Sequence, residues 1–121
     1  MARTTFIEHK GVTIAFLDFS NVQSIEEALA AIEEAGRVVQ SQPHRSVRTL
    51  TYVAGSRFNG DVLEAVKRLA VNNRPHVIAG AVVGLSGLQT VVYTTVMRFS
   101  KRNIPAFASL DAAKDWLVTQ Q

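Results

Sequence analysis

Few residues in this chain are of a type and spacing that could do chemistry. His9, His44 and His76 stand far apart, with no Asp or Glu at a catalytic or metal-ligating spacing beside them, and there is no cysteine. That removes thiolate nucleophiles, disulfides and thiolate metal sites, and it suits a reducing compartment such as the cytoplasm. No nucleophile, base and orienting group fall together in any motif, so the expectation is a non-enzymatic chain with no cofactor and no metal site. His76, beside Pro75, reads as a loop residue. Gly84-Leu85-Ser86-Gly87 could present backbone N–H groups to an anion ahead of a helix. It lacks the Lys of a phosphate loop, and a plain strand-to-helix turn capped by Ser86 is the simpler expectation.

The elements that would position these groups alternate between strands and helices. Residues 5–8 and 12–19 are β-rich runs joined at Lys10-Gly11, a hairpin pattern. Ser24, with Glu27 three residues on, has capping-box spacing for a helix running to about Gln40, its apolar stripe made by Ile25, Ala28, Leu29, Ile32, Ala35 and Val39. A strand over 47–54 follows, then a helix over about 60–72. The almost wholly apolar run 77–83 has the composition of a parallel strand buried on both faces. A third helix over about 87–101, a short strand at 104–108 and a last helix capped by Ser109 complete the order β, β, α, β, α, β, α, β, α. Such alternation predicts an α/β fold: a mostly parallel sheet of about five strands, with one antiparallel edge strand from the hairpin and helices packed on it. The 121 residues, 47% of them hydrophobic, suit one domain spanning 1–121. Ligands in such sheets sit beyond the carboxyl ends of the strands, which directs attention to the loops at 54–59 and 84–87.

Composition excludes further classes. The formal charge of +3 comes from 13 Lys and Arg against 10 Asp and Glu, spread without a dense run, so no nucleic-acid partner is expected. The segment 77–97 is nearly uncharged but is interrupted by Gly80, Gly84 and Gly87 and by polar residues, so no membrane span is expected. The start of the chain mixes Arg3, Glu8 and Lys10 with few apolar residues, which is not the pattern of a signal peptide.

The sequence resembles the STAS domains, named for sulphate transporters and anti-sigma factor antagonists, and especially their small stand-alone bacterial members. The likeness spans nearly the whole chain. It is carried by the element order, by Arg48-Thr49-Leu50-Thr51-Tyr52-Val53-Ala54-Gly55-Ser56-Arg57-Phe58, by Ala81-Val82-Val83-Gly84-Leu85-Ser86-Gly87-Leu88, and by Arg102-Asn103-Ile104-Pro105-Ala106-Phe107. The resemblance implies a non-enzymatic protein-interaction module. In signalling members a Ser or Thr after an Asp at the start of the second helix is phosphorylated to switch binding off. Here that place reads Phe58-Asn59-Gly60-Asp61-Val62, without a hydroxyl, and Ser56 is the nearest one.

The third helix carries the most information. Leu88, Val91, Val92, Thr95 and Phe99 form one face, and Tyr93, Val96 and Met97 extend the apolar surface round the side. One part packs on the sheet, and the rest calls for a cover. Two functions follow. The first is docking of a protein partner, or of a second copy as a homodimer, through the second and third helices and the segment Ser56 to Asn59. The second is carriage or sensing of an apolar small molecule or lipid, with Phe58, Tyr93, Met97 and Phe99 as its lining. Ser56, Phe58, Asn59, Ser86, Tyr93, Met97 and Phe99 are accordingly the candidate interaction or ligand-binding residues. Arg98, Lys101 and Arg102 complement the dipole at the end of the third helix.

Overall fold

A computed structural model describes residues 2–57 and 60–121. Strands β1 (Thr4–His9) and β2 (Val12–Asp18) form the expected hairpin, turning through Lys10 and Gly11, both at positive φ. Helix α1 (Ile25–Gln40), strand β3 (Val47–Tyr52), helix α2 (Leu63–Asn73), strand β4 (Val77–Val83), helix α3 (Leu88–Ser100), strand β5 (Ala106–Phe107) and helix α4 (Leu110–Val118) follow. The sheet runs β1-β2-β3-β4-β5, with β1 antiparallel to β2 and every other pair parallel. The α/β class and the antiparallel edge strand thus match the sequence pattern. Ends differ: β3 stops at Tyr52, β5 is two residues long, and α2 is entered through a 3-10 turn at Gly60–Val62.

Two cores lie on opposite faces of the sheet. On one, Ala15, Leu17, Val47, Val53 and Val82 meet α1, α2 and α3; on the other, Ile14, Leu50, Ala81 and Val83 meet Ala113 and Leu117 of α4. Strand alternation assigns them, since successive side chains point to opposite faces. Alternation is broken once, in β4. Val47 pairs with Val77 but Arg48 pairs with Ala79, so Ile78 is an extra residue in the ladder.

Helix α1 starts as its sequence dictates: Ser24 Oγ accepts the N–H of Glu27 at 3.1 Å, and Glu27 Oε1 accepts the N–H of Gln23 at 3.0 Å. Its buried stripe is narrower than expected. Ala28, Ala31, Ile32, Ala35, Gly36 and Val39 are buried, whereas Ile25 and Leu29 are exposed on its shoulder. The run of small residues lets the helix sit close to its neighbours, and that close approach leaves the two larger side chains outside. Helix α4 is capped by Ser109, whose Oγ accepts the N–H of Ala112 at 3.1 Å. Among the described residues no helix is long and apolar enough to cross a membrane.

Candidate functional site

The face of the sheet under α2 and α3 is floored by short side chains. Thr49 of β3 pairs with Gly80 of β4, which has no side chain at all, and Thr51 stands two residues further along β3. The helices above cannot close on a floor this low. Val66, Leu69 and Ala70 of α2 and Val92, Tyr93, Val96 and Met97 of α3 therefore line a half-open cavity of about 110 Å³, walled mainly by carbon. It is the apolar pocket of the kind that small-molecule sites use, with few polar groups at its margins.

Four of those polar groups come from α2, α3 and the segment after α3. Gln89, buried in the first turn of α3, donates from Nε2 to the carbonyls of Val53 at 2.8 Å and Ser56 at 2.7 Å, and its Oε1 accepts the N–H of Ser86 at 3.0 Å. Tyr93 donates its hydroxyl to the carbonyl of Ile104, and burial pushes the phenol above its ordinary pKa. Asn73, at the end of α2, accepts from Gln40 Nε2 at 2.8 Å. Arg102, in the segment after α3, donates from Nη1 to the carbonyl of Ala70 at 3.3 Å. Its burial, with repulsion from Arg74, brings its pKa down to about 10.

The residues singled out in the sequence separate into groups. Tyr93 and Met97 line the cavity together, and the Met97 sulfur accepts the N–H of Ile104 at 3.4 Å. Phe99 faces away from it, 56% exposed, with Lys67 Nζ 4.7 Å from its ring centre, so it is not part of this lining. The same outward face carries Leu88, 66% exposed, and Val91, 61% exposed. Ser56 is occupied within the fold: its Oγ accepts the N–H of Val22 at 2.9 Å and donates to the carbonyl of Phe19. Phe58 and Asn59 lie outside the described residues.

Ser86 does not cap α3. The N-cap is Gly87, at φ 53°, with no side-chain cap hydrogen bond. A left-handed φ at this position favours glycine, and it swings Ser86 out of capping reach while Gln89 takes over the N–H that Ser86 exposes. Arg102 also departs from expectation. It reaches across to α2 rather than serving the end of α3, because Lys101 closes α3 in the left-handed conformation, its N–H bonding the carbonyl of Met97 at 3.1 Å.

Sequence reasoning missed Gln89, Thr49 and Arg102 as parts of one site. Their only signal was a polar residue interrupting an apolar pattern, as Thr49 does between Val47 and Leu50. The histidines are also redistributed. His44 and His76 stand edge to face with ring centres 4.8 Å apart, and His9 Nε2 lies 2.8 Å from Asp115 Oδ1. Neither pair gains a third ligand: among the described residues no group of three or more His, Asp or Glu side chains could hold a metal.

Arranged this way, the site can hold an apolar group and set the Arg102 guanidinium beside a polar end of the same molecule. No protein-family model, no curated protein and no solved structure matches this chain.

Proposed function

We propose that this chain is a non-catalytic binding module that holds a small, mostly apolar molecule between α2, α3 and the sheet. The observation that supports it is the half-open pocket of about 110 Å³ with carbon-lined walls. A pocket of this size suits a short chain or a small ring rather than a whole lipid tail. Xenon under pressure tests the proposal. The methyl resonances of Val66, Leu69, Val92 and Val96 should shift together and saturate, while those of Ile14 and Leu50 on the opposite face stay still. No saturable shift would reject it.

A second reading is favoured by a separate observation, the exposure of Leu88, Val91 and Phe99 on the outer face of α3. In that reading the chain is a protein-interaction module resembling the anti-sigma factor antagonists, docking through this stripe on a protein partner or on a second copy of itself. Light scattering across a concentration series would distinguish a homodimer, which Leu88→Ser with Val91→Ser should dissociate.

A further inference from the structure

Arg102 brings a positive charge into the wall of the cavity, and among the described residues no carboxylate pairs with it. Every ion pair among the described residues is made by other groups, and the charged neighbour that perturbs Arg102 is Arg74, of like sign. One bond, from Nη1 to the carbonyl of Ala70, ties the guanidinium to the end of α2. Its other nitrogens have no side-chain or backbone acceptor among the described residues.

The guanidinium lies against β4 at a position kept clear for it. A Cβ placed on Gly80 would come within 3.3 Å of Arg102 Nη2 and 2.8 Å of Thr49 Oγ1. Thr49 is buried and lines the same cavity, and its hydroxyl also has no protein partner among the described residues. Two unengaged donors therefore converge over Gly80, one of them charged, beside walls made of Val66, Leu69, Val92 and Met97.

Arg102 is half-buried, where a charge gains from a partner more than it would in open water, and the planar fork of arginine matches the two oxygens of a carboxylate. Resting on the reading of this cavity as a ligand site, we infer that its occupant is a small apolar monocarboxylate. Its two oxygens meet Arg102 and the hydroxyl of Thr49, and its short chain lies among Val66, Leu69, Val92 and Met97. The hydrogen bond to Ala70 anchors the side chain and leaves the rest of the fork for the ligand.

Pentanoate and pentan-1-ol, equal in length and different in charge, test this on the full-length chain by calorimetric titration. Pentanoate should bind at least about tenfold more tightly, the usual advantage of a hydrogen bond to a charged group. Arg102→Gln should erase that preference and leave pentan-1-ol binding unchanged. Thr49→Val, close to isosteric, should weaken pentanoate selectively, and it carries the test if Arg102→Gln does not fold. Equal affinity of the wild-type chain for both probes would overturn the carboxylate inference while upholding an apolar ligand site. Binding of neither would overturn both.

Discussion

Ser56 and Gln89 both work on the segment that follows β3. Ser56 secures it from below, through the N–H of Val22 and the carbonyl of Phe19, and Gln89 secures it from above, through the carbonyls of Val53 and Ser56. Leaving a buried partner unsatisfied costs about 1–3 kcal/mol, so Ser56→Ala and Gln89→Ala should each lower stability by about that much in urea unfolding, with unchanged slope. Because they hold one segment, the double variant should lose less than the sum of the two. Of these residues only Ser56 drew attention in the sequence, as a hydroxyl near the place where the resemblance expects one. Gln89 was illegible, since a polar residue in the first turn of a helix ordinarily faces water, and only the tertiary approach of the 53–56 backbone makes it a buried clamp.

Helix α3 was legible as an element and ambiguous as a surface. Its apolar residues cover so much of the circumference that periodicity could not say which side meets the sheet. Packing puts Val92, Tyr93, Val96 and Met97 inside and Leu88, Val91 and Phe99 outside. Val96→Asp should therefore abolish cooperative unfolding, since it buries an unpaired charge, whereas Leu88→Ser should change stability by no more than about 0.5 kcal/mol. Helix α1 contributes a pH-dependent tie. Glu34 accepts the backbone N–H groups of Thr4 at 2.8 Å and Arg3 at 2.9 Å. The Thr4 bond, assisted by the Arg3 bond and nearby positive charge, outweighs desolvation and lowers the carboxyl pKa below its ordinary 4.5. A lowered folded-state pKa contributes stability that is present above pH 4.5 and lost as the pH falls through the folded value. Glu34→Gln should thus melt at a lower temperature than the wild type at neutral pH, and the gap should narrow progressively on acidification below that point.

In the whole molecule the two faces of the sheet are unequally covered, by three helices on one side and by α4 alone on the other. Arg48 holds α4 down: its Nε donates to the carbonyl of Leu117 at 3.2 Å and its Nη2 to that of Gln120 at 2.7 Å. Arg48→Ala should accelerate amide hydrogen exchange at the end of α4 while leaving α1 unaffected. The mostly parallel pairing and the hairpin followed from element alternation in the sequence, because parallel neighbours require crossovers and Lys10-Gly11 marks a turn. The cavity did not, because it arises where short residues from β3 and β4 coincide, and that coincidence depends on register.

Register in β4 is governed by Ile78. Val77 and Gly80 are three apart, an odd number, yet both look toward the α1–α3 side, because the extra residue shifts the phase of everything after it. In an uninterrupted ladder, parity counted from Val77 would turn the bare glycine toward α4 and present a methyl group to Arg102. The bulge thus acts as a counting device that aligns a strand entered from one end with a partner supplied at the other. A single-residue insertion or deletion between Val77 and Gly80 would exchange inside for outside along half a strand, so the spacing here is constrained more tightly than the identity of Ile78 itself.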